Sequence, residues 1–104
     1  MSRGASLANR IESGDLVVGI IGLGYVGLPT AIGFLDAGFK VWGVDISTRT
    51  IEFLQRGENP TGDPDLNDII PSPENPQWNI TDVTAKAVAE CDVVLVTVPT
   101  PVTL

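Results

Sequence analysis

Residues 16–29, LVVGIIGLGYVGLP, constrain this chain more than any other stretch. An uninterrupted apolar run, residues 16–21, leads directly into Gly22, Gly24 and Gly27 at G-x-G-x-x-G spacing. A short run with no polar alternation reads as a strand buried on both faces. Such a strand needs helices on both sides, which is the condition of a parallel sheet in an α/β protein. Beyond the glycines, Leu28, Ala31, Ile32 and Leu35 recur at helical spacing, with Phe34 alongside and Gly38 placed to stop the helix. Pro29 fits only near the first turn, where its missing N–H would have no helical partner. The segment is therefore strand, tight turn, helix. The turn either binds something or merely joins the two.

The rest of the chain repeats the alternation. Residues 40–45, KVWGVD, read as a second strand ending on an acid. Ser47 or Thr48 can cap a second helix whose apolar face is Ile51, Phe53 and Leu54, with Gly57 ending it. Residues 58–77 then hold five prolines among several Asn and Asp. A structureless loop of that length is unusual inside a domain, so a short helix is expected within it. Asp63 would cap it, Pro64 would take its first position, and Leu66, Ile69 and Ile70 would supply its apolar face before Pro71 and Pro73. Residues 78–81 read as a third strand. Residues 83–90 read as a helix capped by Thr81 or Asp82, and residues 92–98, DVVLVTV, as a fourth strand closed by Pro99, Thr100 and Pro101.

Strands alternating with helices predict a doubly wound, Rossmann-like parallel sheet, with right-handed crossovers giving strand order 3-2-1-4. The loops after strands one and four would meet at its switch point, where ligands bind in such sheets. Residues 1–15 form a polar lead-in, with Leu7 and Ile11 spaced for a short helix, and residues 16–104 form a partial domain.

That layout gives the glycine turn a chemistry. Gly22 allows the tight turn, Gly24 lets a pyrophosphate approach the backbone, and Gly27 lets the helix lie close to the strand. Free N–H groups near Tyr25 and Val26 would point at the phosphates, aided by the helix dipole. Asp45 stands 18 residues after Gly27, near the ~20 expected of the acid that accepts hydrogen bonds from a ribose. An acid there repels a 2′-phosphate, so NAD is expected over NADP. Arg49 is expected on the adenosine side, the rival being a solvated helix face. Thr100, at the end of the switch-point strand, is either a further cofactor contact or part of a rigid turn. Cys91, Trp42 and Trp78 read as packing residues.

Composition narrows the function. The net charge of −7 over 104 residues argues against nucleic acid or an anionic membrane as partner, but not against a dinucleotide held by backbone N–H groups. There is no His and a single Cys, which removes the commonest general base and any intrachain disulfide. No signal peptide or membrane span is evident, so the expected compartment is the cytoplasm.

GLGYVGLPTA (22–31), GVDIS (43–47), DPDL (63–66) and VTVPTP (96–101) together resemble the NAD-binding N-terminal domain of the UDP-glucose/GDP-mannose dehydrogenase family of nucleotide-sugar dehydrogenases. The resemblance implies backbone contacts from Tyr25 and Val26 to the pyrophosphate, Asp45 on the adenosine ribose with Arg49 beside it, and Thr100 reaching the cofactor. It further implies oxidation of the C6 alcohol of a UDP-sugar to a carboxylate, using two NAD and a thioester on a catalytic Cys. Cys91, set in AECDVVLV, does not match that Cys, so no catalytic residue is carried onto this chain. The chain is then expected to be an excerpt of a longer, homo-oligomeric enzyme. Its fourth strand would be an apolar edge prone to self-association. Leu28, Pro29 and Thr30, with the lead-in LANRIESGD, lean toward UDP-N-acetylhexosamine substrates. Two rivals are a non-catalytic nucleotide-sensing module and a β-hydroxyacid dehydrogenase relative. Asp45 and VPTP speak against the second.

Overall fold

The computed structural model describes residues 15–97. Four strands, β1 (Val17–Ile21), β2 (Lys40–Val44), β3 (Trp78–Thr81) and β4 (Val93–Val96), form one parallel sheet in the order β3-β2-β1-β4. Helices α1 (Gly27–Asp36), α2 (Thr48–Gln55) and α3 (Thr84–Glu90) make the crossovers. This is the doubly wound Rossmann-like order predicted from the alternation.

Register explains why the central strand is apolar throughout. Val18 lies between Val41 and Val93, and Ile20 between Gly43 and Leu95. Val18, Ile20 and Val41 join Leu28, Ala31 and Ile32 of α1 and Leu54 of α2 in one buried cluster. Gly19 sits between them in sequence and serves the opposite face. A Cβ there would come within 2.7 Å of Cys91 Sγ. Cys91 is thus a packing residue at the end of α3, and burial pushes its thiol pKa up, with the Asp92 and Glu90 carboxylates adding to the shift. Trp78 is buried and Trp42 half-buried, as packing residues should be.

Three local expectations need correction. The helix expected after Asp63 is one 3-10 turn, Pro64–Leu66, capped by Asp63 through Asp65 N–H. Leu66 is buried, but Ile69 faces solvent. The segment is instead organised by side-chain to backbone bonds, which compete with helix wherever Asn, Asp and Thr are dense. Asn59 Nδ2 donates to the Asp63 carbonyl and to Asn67 Oδ1, while its Oδ1 accepts from both Thr61 N–H and the Thr61 hydroxyl. Secondly, α3 has Val83 at its N-cap and no side-chain cap; Thr81 Oγ1 accepts from Val83 N–H instead. Thirdly, β4 spans Val93–Val96 rather than 92–98; Asp92, just before it, accepts the Val17 N–H on its carboxylate and donates its own N–H to the Val17 carbonyl. Val98 and the Pro99-Thr100-Pro101 closure lie outside the described residues, as does nearly all of the 1–15 lead-in.

Candidate functional site

The C-terminal ends of β1, β2 and β4 meet around the glycine turn. Gly22 has φ +100°, a conformation glycine adopts without strain. Its N–H donates to the Val44 carbonyl at 2.7 Å, which ties the turn to β2. Its carbonyl accepts from the Thr97 hydroxyl at 2.7 Å, which ties it to the end of β4. The next N–H, of Leu23, donates to Asp45 Oδ2 at 2.8 Å. The Leu23 side chain is buried, 1% exposed, and points under the turn against Gly43. A Cβ on Gly27 would overlap the Gly22 carbonyl, so only glycine lets α1 start this close to β1.

After Leu23 the carbonyls are still bonded, Gly24 C=O accepting from Leu28 N–H and Val26 C=O from Thr30 N–H, but the N–H groups are not. Among the described residues, no acceptor reaches the N–H of Gly24, Tyr25 or Val26. A Cβ on Gly24 would meet nothing within 4 Å, and Tyr25 and Val26 are 72% and 68% exposed. Helix α1 has no capping side chain and no acid in its first turn. Its N-terminal partial positive charge therefore faces open space through three successive donors. That is the chemistry of a phosphate seat, and it fits a dinucleotide pyrophosphate.

Asp45, just past β2, is half-buried. Its Oδ2 takes the Leu23 N–H and its Oδ1 takes the Ser47 N–H, each at 2.8 Å. A carboxylate oxygen has a second lone-pair site, so Asp45 braces the turn and keeps acceptor capacity for a ribose hydroxyl. Arg49 Nη1 donates to the Pro60 carbonyl at 3.1 Å, and its guanidinium lies 4.5 Å from the Phe53 ring centroid. It is exposed, yet held toward the 59–67 loop rather than left to swing. That loop also approaches the turn, since a Cβ on Gly62 would lie 3.4 Å from the Tyr25 hydroxyl. Gly24, Tyr25, Arg49, Thr50 and residues 60–62 enclose a cleft of about 390 Å³.

Gly22, Gly24, Tyr25, Val26, Gly27, Asp45 and Arg49 thus gather at one end of the sheet. Thr100 lies outside the described residues. Reading the sequence missed Leu23 as the buried anchor, the bracing role of Asp45, the 60–62 wall and Thr97. Only Thr97 left a signal, as the lone hydroxyl in the apolar run VVLVTV.

Known proteins resemble this chain in sequence and in fold. Residues 16–104 match the model of the UDP-glucose/GDP-mannose dehydrogenase family, NAD binding domain. The UDP-N-acetyl-D-mannosamine dehydrogenase of Escherichia coli is 36% identical over 84 residues, covering 81% of this chain and 19% of that protein. A ternary complex of GDP-mannose dehydrogenase from Pseudomonas aeruginosa has TM-score 0.74 at 32% identity, covering 83% of this chain and 20% of that one. The UDP-N-acetyl-mannosamine dehydrogenase of Staphylococcus aureus has TM-score 0.69 at 34% identity, over 82% of this chain and 20% of that one. The chain spans about one fifth of the length of these relatives.

Proposed function

The chain belongs to the UDP-glucose/GDP-mannose dehydrogenase family, and on that premise we propose that it forms the cofactor-holding part of a UDP-sugar 6-dehydrogenase. In this reading the full enzyme oxidises the C6 alcohol of a nucleotide sugar to a carboxylate. Its cofactor is NAD, which accepts hydride from the alcohol carbon when bound. The observation that carries the proposal is the run of three N–H groups, Gly24 to Val26, that have no acceptor among the described residues, beside the open space over Gly24.

Each residue then has a task. Gly22 and Gly27 shape the turn, and Gly24 leaves room for the pyrophosphate. Tyr25 and Val26 donate their N–H groups to it. Asp45 accepts from the adenosine ribose hydroxyls and disfavours a 2′-phosphate by charge repulsion. Arg49 lines the adenosine side, and Thr100 meets the cofactor from beyond β4. The oxidation itself is assigned to residues outside this chain. Residues 16–104 serve as part of the NAD domain of a longer enzyme, preceded by the 1–15 lead-in; the one-fifth coverage of the relatives supports this.

The substrate class is UDP-N-acetylhexosamine. Two lines support it: Leu28, Pro29 and Thr30, and the mannosamine dehydrogenases among the relatives. The proposal further takes the full enzyme to be a cytoplasmic homo-oligomer. The test is NADH formation by the full-length protein with UDP-N-acetylmannosamine, UDP-glucose or GDP-mannose, alongside calorimetry with NAD and NADP. NAD binding in preference to NADP, with turnover of the N-acetylhexosamine, is expected. A preference for NADP would return the β-hydroxyacid dehydrogenase reading. Tight NAD binding without turnover of any nucleotide sugar would favour the sensing module.

A further inference from the structure

We propose that Thr97 is a positioning residue for the cofactor: its hydroxyl holds the Gly22 peptide so that the next three N–H groups face the ligand. The inference rests on the NAD reading above and adds a residue to it. The turn is fastened at three consecutive points. Gly22 N–H is bound to the Val44 carbonyl, Gly22 C=O to the Thr97 hydroxyl, and Leu23 N–H to Asp45. With these three groups bonded, the next N–H groups, of Gly24, Tyr25 and Val26, have no acceptor among the described residues.

Of the three fastenings, only the Thr97 hydroxyl controls a carbonyl. If Gly22 C=O rotated, the attached Leu23 N–H would rotate with it, because the peptide is planar. The start of α1 would then tilt. Thr97 is well held for this work. Its own N–H donates to the Ile21 carbonyl at 2.8 Å, and its hydroxyl lies 3.3 Å from that same oxygen and 2.7 Å from Gly22 O. The hydroxyl also fills the gap between turn and helix, since a Cβ on Gly27 would reach it at 2.5 Å. A strand 75 residues away in sequence thereby sets the direction of the phosphate donors. This couples the switch-point strand to the cofactor seat without touching the cofactor.

Two substitutions in the full-length protein separate positioning from mere packing. Thr97→Val keeps the branched shape and removes the donor, and Thr97→Ser keeps the donor. Hydrogen–deuterium exchange without ligand should be roughly 10-fold faster across the 21–28 peptide in Thr97→Val, with little change across residues 40–44. The NAD dissociation constant should rise about 10-fold in Thr97→Val. Thr97→Ser should restore both. Wild-type exchange or wild-type NAD affinity in Thr97→Val would overturn the proposal. Equal acceleration across all strands would also overturn it, because that marks general destabilisation. Failure of the wild-type protein to bind NAD would defeat the cofactor reading instead, while the exchange arm would still decide whether Thr97 orients the turn.

Discussion

Helices α1 and α2 both follow a parallel strand at the same end of the sheet, yet they begin in opposite ways. The β2–α2 junction closes on itself. Asp45 Oδ1 takes the Ser47 N–H, and Ser47 Oγ accepts from Thr50 N–H at 3.3 Å, so the helix start is capped by its own side chain. At the β1–α1 junction the turn is fastened through Gly22 and Leu23, and no side chain among the described residues caps the helix start. A capped helix end is stabilised by about 1 kcal/mol and has little left to offer a ligand. An uncapped end forgoes that stabilisation and keeps its donors for an anion. The two junctions also cooperate, because Asp45 belongs to one and braces the other.

Four substitutions would break or sharpen this contrast. The largest effect is expected for Gly27→Ala. Its methyl would overlap the Gly22 carbonyl backbone, which cannot rotate out of the way, so stability should fall by about 3 kcal/mol or more. An unchanged urea midpoint would show that the turn is softer than described. Asp45→Ala should weaken NAD binding by about 1–3 kcal/mol and also lower the unfolding midpoint, because the Leu23 N–H loses its partner. Loss of affinity with no loss of stability would mean that the bracing bond is idle.

Gly24→Ala tests the open junction alone. No atom lies near the new methyl, so stability should stay within about 0.5 kcal/mol. NAD affinity should nonetheless fall roughly 10-fold, as the methyl occupies the approach to the backbone. Wild-type affinity by calorimetry would move the pyrophosphate elsewhere. Ser47→Ala is the mirror image and the smallest change. It should cost about 1 kcal/mol in thermal or urea unfolding and leave NAD affinity unaltered. An affinity change there would mean that the capped junction, too, contacts the ligand.

The parts that were legible share a cause. The strand–glycine–helix unit could be read because backbone conformation and close approach restrict those positions to glycine, and because Leu28, Ala31 and Ile32 keep helical period. The position of Asp45 just past β2 could be read because its spacing from the glycines reflects one helix and one strand of ordinary length. The 58–77 segment was legible only in outline. Asp63 and Pro64 marked a helical turn, but the Asn59 bonds that replaced a longer helix depend on which loop atoms meet.

By itself the sequence determined the alternation of elements, the order of the sheet and the glycines that the β1–α1 turn requires. Those properties follow from local sterics and from hydrophobic period, which act over a few residues at a time. Only the tertiary structure decided that Thr97 grips Gly22, that Leu23 plugs the base of the turn, and that Asp45 spends one lone pair on each neighbouring N–H. Hydrogen bonds of that kind are set by approaches of about 3 Å between segments far apart in the chain. No local pattern encodes such distances, so they come into being only when β1, β2 and β4 lie side by side.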